Sequence, residues 1–256
     1  GAGVYRILEQ PQDGWTQIPL DGQNVATFKS ESSGIQTNEH FFNFKNLTAC
    51  VNKFHDLNGN GVQDESPPGT PAEEREVGLA DWTMYLTRKT GPAPLGIIQT
   101  EQTSSAGTCF LSVGPGTYTV QEEAPAGQGD YRLVGNPPND ELPVNPDAEG
   151  NITVLFPNAK PMTISGFKFN DIDGNKMWLL DEPGLGGWKI QLTGATSDQP
   201  NNEVTTNPDG SYQFTGVMPG DSAGITLTET APAGAEGWIQ TVFPGTISPL
   251  IAISGP

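Results

Sequence analysis

"VNKFHDLNGNGVQD" (residues 51–64) carries a lysine on a short run rich in apolar residues, then turns at once into Asp, Asn and Gly. "GFKFNDIDGN" (residues 166–175) repeats the arrangement. Short runs rich in β-formers, closed by Asn, Asp and Gly, read as strand followed by tight turn. A second copy of strand, lysine and acidic turn makes this a repeat of β-modules.

The repeat extends outward in both directions. "FFNFKNLTACVNKF" (Phe41–Phe54) aligns without a gap on "FPNAKPMTISGFKF" (Phe156–Phe169), placing Asn43 on Asn158, Lys45 on Lys160 and Lys53 on Lys168 at an offset of 115 (158 − 43). "EVGLADWTMYL" (Glu76–Leu86) matches "EPGLGGWKIQL" (Glu182–Leu192). "YTVQEEAPAG" (Tyr118–Gly127) matches "ITLTETAPAG" (Ile225–Gly234), and "YRILEQPQDGW" (Tyr5–Trp15) is a third copy. The module is about 110 residues, the size of a β-sandwich. On this frame residues 1–46 supply the later strands of one module, 47–160 a complete module, and 161–256 a module without its final Asn-bearing strand. The expectation is either a crop of a longer array or a subunit that completes its neighbour by strand exchange.

Composition narrows the class. Gly 32 and Pro 23 punctuate the chain every few residues, and no amphipathic helix is apparent, so the fold is expected to be all-β. No run of roughly 18 apolar residues offers a membrane span, and no signal peptide or wall-anchoring tail is visible. Lys+Arg 12 against Asp+Glu 30 gives a net charge of -18. That balance argues against nucleic acid and anionic membrane, which want a basic stripe, and suits a cation such as calcium. The two cysteines, Cys50 and Cys109, permit one disulfide in an extracellular compartment, or two free thiols in sandwich cores.

Alternation assigns faces. Tyr118, Val120 and Glu122 share one, as do Tyr5, Ile7 and Glu9, and Ile225, Leu227 and Glu229. Each time a glutamate closes an apolar row. Ile152, Val154, Phe156 and Asn158 make a further row that ends in asparagine. Lys53 shares a face with Val51 and His55, which leaves a solvated lysine open as the alternative. Burial disfavours charge on both lysine and glutamate. A neutral buried amine is a nucleophile, and a protonated carboxyl shuttles protons. Attack on the asparagine carbonyl would expel ammonia and leave a Lys–Asn isopeptide bond. The competing reading is a hydrogen-bonded core trio without a covalent link.

These residues resemble a known family. "K-F-x-D" on a first strand, "Y-x-V-x-E-x-x-P" later and "F-x-N" on a last strand look like collagen-adhesin B-type domains, the prealbumin-like Greek-key sandwiches of microbial surface adhesins and pilins. "D-x-N-G-N-G" after the lysine and "E-x-G-L-x-G-W" beyond it resemble the serine–aspartate-repeat B-like domains, which are calcium-bound stalk modules. The resemblance covers nearly the whole chain. It implies a bond from Lys53 to Asn158 assisted by Glu122. Lys168 and Glu229 match the pattern without a visible Asn, and Glu9 and Asn43 match it without a visible Lys. Not every such domain forms the bond, and the calcium-binding subgroup often lacks it.

The acidic loop offers oxygens at Asp56, Asn58, Asn60, the Val62 carbonyl and Asp64, at the spacing of positions 1, 3, 5, 7 and 9 of an EF-hand loop, with Gly61 at the turn. Pro67 stands at position 12, so Glu76 or Glu65 is the candidate to close the shell across an insertion. In the third module Asp171, Asp173 and Asn175 hold positions 1, 3 and 5 and Glu182 holds position 12, while Lys176 replaces the turn glycine and Leu179 stands at position 9. The competing reading of both loops is an Asx-rich turn with no metal.

Trp15, Trp82, Trp188 and Trp238 recur at related positions and read as core or inter-module packing. "NLT" at Asn46 and "NIT" at Asn151 are glycosylation sequons. No catalytic triad, P-loop or dinucleotide fingerprint occurs. The expected function is an extracellular, cell-surface stalk or filament of calcium-stiffened modules, packing on neighbouring modules or identical subunits head to tail, and not an enzyme. The alternatives are an adhesin that binds a host matrix protein or glycan through the loops at 66–76 and 129–149, and a β-sandwich appendage of a secreted enzyme.

Overall fold

The computed structural model describes residues 3–18, 25–30, 40–66, 69–71, 75–92, 94–135, 141–144, 152–179, 181–194, 202–219, 224–235, 237–239 and 246–247, with the backbone alone at 25–30 and 246–247. All regular elements among them are strands.

The central segment carries eight strands: β5 (Leu47–His55), β6 (Thr83–Thr90), β7 (Gly96–Gln102), β8 (Thr108–Val113), β9 (Thr117–Glu123), β10 (Arg132–Leu133), β11 (Glu141–Pro143) and β12 (Ile152–Ala159). They form two four-stranded sheets, in the orders β10-β12-β5-β8 and β11-β9-β6-β7. Val51, Phe110, Val154 and Phe156 of the first sheet share one apolar cluster with Met84, Leu86, Tyr118 and Val120 of the second, so the sheets close as a sandwich. Buried residues alternate with less buried ones along β6, β9 and the first halves of β5 and β12, as packed sheets require. β5, the first strand, pairs in parallel with β12, the last, with Phe156 opposite Lys53 and Asn158 opposite His55. On its other edge β5 pairs antiparallel with β8, where Cys50 faces Cys109. Those two cysteines are joined in a disulfide.

Residues beyond 161 repeat much of this plan. β13 (Met162–Phe167) pairs with β16 (Ser211–Val217), and β15 (Glu203–Thr205), β14 (Lys189–Thr193), β17 (Ile225–Thr230) and β18 (Thr246–Ile247) form a four-stranded sheet in that order. Ile164 and Phe214 pack with Ile190, Leu192 and Leu227 in a separate apolar cluster. Among the described residues β13 has a strand on one edge, where β5 has one on each. The N-terminal residues give two antiparallel pairs, β1 (Gly3–Leu8) with β3 (Val25–Ser30) and β2 (Trp15–Ile18) with β4 (Phe42–Lys45).

The repeated "GL" motif marks a close backbone approach. A Cβ on Gly78 would stand 1.9 Å from the Ser105 carbonyl oxygen, and one on Gly184 1.9 Å from that of Asp209. Only glycine admits that contact. It lets Gly78 bridge Phe54 and Gly184 bridge Phe169, which ties the strand after each lysine to the segment that leads to the tryptophan.

Candidate functional site

β5 points its lysine inward. Ala49, Val51 and Lys53 form one buried row, and Lys53 is 0% exposed. β9 brings Glu122 from the facing sheet at the end of the Tyr118–Val120 row, and β12 brings Asn158, also 0% exposed. The Lys53 Nζ donates to Glu122 Oε2 at 2.7 Å and makes a short contact with Asn158 Oδ1. The Asn158 Nδ2 donates to Glu122 Oε1 at 2.7 Å. One carboxylate thus bridges the amine and the amide nitrogen, and the amine touches the amide carbonyl.

Trp82 covers this trio, a role that sequence reading missed. Its ring lies 3.6 Å from the Lys53 Nζ, and its indole N–H is held by Gln128 Oε1 at 3.1 Å. An aromatic face stabilises a cation and excludes water. The recurrence of tryptophan after "GLAD" and "GLGG" was the available signal. Trp188 repeats the contact with Lys168 at 4.3 Å. Trp15 and Trp238, by contrast, are half-exposed.

The other two copies hold parts of the trio. Lys168 Nζ pairs with both oxygens of Glu229, at 3.0 and 2.9 Å, in a cleft of about 280 Å3 that Trp188 and Trp238 also line. On the N-terminal strands Asn43 Nδ2 donates to Glu9 Oε1 at 2.5 Å, and the shielded Glu9 Oε2 accepts no hydrogen bond among the described residues.

The two acidic loops close in the same way. Glu76 Oε1 and Oε2 accept the Leu57 and Asp64 N–H groups at 3.1 and 2.7 Å. Glu182 accepts those of Ile172 and Leu179 at 2.9 and 3.0 Å. The paired positions keep the 115-residue offset (172 − 57 and 179 − 64), so the insertion leaves the closing glutamate in place. The buried Asp56 carboxylate accepts the Gly59 and Gly61 N–H groups at 2.7 and 2.8 Å. Asn58 and Asn60 direct their amide N–H groups to Asp64 Oδ2 at 2.6 and 2.9 Å. Among the described residues it is Glu76, not Glu65, that closes this loop. Val62 is exposed, and its N–H donates to Asn60 Oδ1.

Carboxylates converge more closely in the other loop. Asp171, Asp173 and Glu182 bring ligand oxygens within 4.8 Å of one another, the one such cluster among the described residues. Asn175 donates its side-chain N–H to Asp173 Oδ2. Lys176 occupies the turn position with φ 67°, where the first loop has Gly61 at φ 77°. Its backbone N–H reaches Asp171 Oδ2 at 3.2 Å, so the turn is kept despite the side chain. Burial pushes the Glu76 carboxyl up; the Asp64 N–H opposes this, the Asp56 charge adds to it, and the Leu57 N–H and the Asp64 charge contribute less, in opposite senses. Hard oxygen donors of this kind suit calcium.

Asn46 is half-buried and accepts a hydrogen bond from Thr16 Oγ1, while Asn151 lies outside the described residues. The loops at 66–76 and 129–149 are described only in part.

No protein-family model matches this chain, and no curated protein does. Among solved structures it is similar to the shaft pilin SpaA of Lactobacillus rhamnosus GG, at 12% identity and TM-score 0.28 over 74% of this chain and 89% of that one. It is also similar to a streptococcal ancillary pilin at 15% identity and TM-score 0.32, over 97% and 71%. The RrgB pilus protein of Streptococcus pneumoniae overlaps at 11% identity and TM-score 0.29, over 72% and 48%. Overlaps this loose assign no function.

Proposed function

We propose that this chain is a structural protein of an extracellular stalk or filament, built of tandem β-sandwich units at 47–160 and 161–256 preceded by related strands at 1–46. The observation that carries this reading is the buried Lys53–Glu122–Asn158 trio, which joins the first strand of a unit to its last. Its chemistry is a single turnover. The Lys53 ammonium gives one proton to Glu122, and the amine so formed attacks Asn158 Cγ, forming the Nζ–Cγ bond. The Cγ–Nδ2 bond then breaks, the leaving nitrogen takes the proton from Glu122 and the second Nζ proton, and it departs as ammonium, with Glu122 again a carboxylate. The Trp82 ring keeps water from the amine. Such a bond resists pulling and proteolysis along the axis of an array, and no reductant opens it.

Calcium is the second part of the proposal. Asp171, Asp173 and Glu182 would hold it in one loop, and Asp56, Asn58, Asn60 and Glu76 in the other, with the ion offsetting carboxylate repulsion and stiffening the loop that follows the lysine strand. Exchange of strands between neighbouring subunits is the third. Intact mass decides the crosslink: a loss of about 17 Da per bond is expected, as ammonia leaves. A full unmodified mass for the folded chain would remove the reading's central support.

A further inference from the structure

The Trp82 ring covers the Lys53 amine, and the ring itself has to be held. Its backbone is clamped just past β7: the Trp82 N–H donates to Thr103 Oγ1 at 3.1 Å, and the Trp82 carbonyl accepts the Thr103 N–H at 2.9 Å. That clamp leaves the side-chain torsions free. A cleft of about 300 Å3 lies beside the ring, lined by Trp82, Glu122, Tyr131 and Leu133 but not by Lys53. The ring therefore stands between this cleft and the amine, which is 3.6 Å from its centre. The cleft is polar at Glu122 and has room for water. Two contacts keep the ring from tilting into it. Tyr131 meets it edge-on with centroids 6.0 Å apart. Gln128 Oε1 accepts the indole N–H at 3.1 Å. A buried indole N–H needs such an acceptor, and a hydrogen bond fixes direction where an edge contact does not.

The third module separates the common scaffold from the glutamine. Trp188 has the same backbone clamp, donating to Thr206 Oγ1 at 3.0 Å and accepting the Thr206 N–H at 2.8 Å. Trp238 meets its ring edge-on at 6.1 Å, as Tyr131 meets Trp82. The counterpart of Gln128, one residue after the repeated "APAG", is Ala235, which has no side-chain acceptor. Ala235 still makes the same turn. Its N–H donates to the Pro232 carbonyl at 3.1 Å, as that of Gln128 donates to the Pro125 carbonyl at 3.1 Å. The turn accepts alanine, so the glutamine side chain is not needed to build it. What that side chain adds is the bond to the indole.

We propose that Gln128 is a positioning residue for the Lys53–Asn158 crosslink: it holds the Trp82 ring over the amine and so keeps cleft water from Nζ while the amine attacks Asn158 Cγ. Water at Nζ would solvate the ammonium and hold its proton against transfer to Glu122. It would also let the amine turn away from the amide carbonyl, and attack depends on that orientation. Gln128 acts through the ring, not on the reacting atoms.

This inference rests on the crosslink chemistry proposed for Lys53, and the rate of ammonia loss separates the two. The 256-residue chain is made by cell-free translation, translation is stopped, and aliquots are weighed intact over time. The unaltered chain should lose about 17 Da. In Gln128→Ala the loss should be roughly tenfold slower, the size expected when one buried N–H loses its acceptor. Trp82→Phe keeps a ring but has no N–H to hold, so adding Gln128→Ala to it should slow the reaction no further. A Gln128→Ala chain that reacts at the unaltered rate overturns the inference. So does a Gln128→Ala effect that persists in full on top of Trp82→Phe, because the glutamine then acts through the fold and not through the indole. If the unaltered chain keeps its full mass, the crosslink reading itself fails and this inference falls with it.

Discussion

Lys53 is a cation with no access to water, held by one carboxylate and one ring face. A buried charge that loses its partner is costly, about 3–5 kcal/mol. Glu122→Gln is therefore expected to leave the chain at its unmodified mass, since the proton carrier is gone, and to lower stability in denaturant unfolding by at least that order, with the lost crosslink adding to it. A variant that still loses ammonia would take the proton transfer away from Glu122. Lys176 poses the opposite case. It holds a left-handed backbone that lysine adopts at a cost. Lys176→Gly should relieve that strain, offset in part by the freer unfolded chain, for a net gain of up to about 1 kcal/mol. It also removes a cation beside Asp171 and Asp173, so calcium affinity measured by calorimetry should rise. An unchanged affinity would separate the lysine from the ion.

β5 is the most constrained element. β12 flanks it in parallel and β8 antiparallel, and the Cys50–Cys109 disulfide ties it to β8. That bridge closes a loop with a sequence separation of 59. Loop-entropy bookkeeping assigns it about 4 kcal/mol. The Lys53–Asn158 bond would span a separation of 105 and contribute about 5 kcal/mol on the same basis. Replacing both cysteines with serine should shift the urea midpoint down by an amount equivalent to the first figure, with the ammonia loss retained. If the double variant fails to lose ammonia, the disulfide is needed to seat β5 before the bond can close. Among the described residues β13 has neither tie, so its strand should exchange amide hydrogens faster than β5.

At the scale of the whole molecule, a net charge of -18 makes the folded chain repel itself. Any salt screens this, but a specific ion does more. Calcium at a hundredfold over its dissociation constant should add about 2.7 kcal/mol per site. The melting temperature should therefore rise with calcium beyond the effect of sodium chloride at equal ionic strength, and fall on chelation. Glu182→Gln should remove the share due to the 171–182 loop. Equal shifts with calcium and with matched sodium chloride would leave both loops as Asx turns.

The alternation of Tyr118, Val120 and Glu122, and of Val154, Phe156 and Asn158, was enough to place a glutamate and an asparagine on inward rows. A period-two pattern with one buried face leaves no other orientation. The Asp, Asn and Gly spacing fixed both turns, because positive φ and short side-chain caps are local properties. Lys53 was not legible in this way. Its face-sharing neighbours, Val51 and His55, give no consistent polarity, and it takes β12 and Trp82 together to bury the amine. The closure by Glu76 depends on the path of the chain around an insertion, which spacing alone does not define. The cover by Trp82, the disulfide across β5 and β8, and the meeting of Lys53 with Asn158 all depend on which strands lie side by side. Local sequence determines the strands, their faces and their turns. Only the pairing of distant strands brings a lysine, a glutamate and an asparagine from three separate segments to one point.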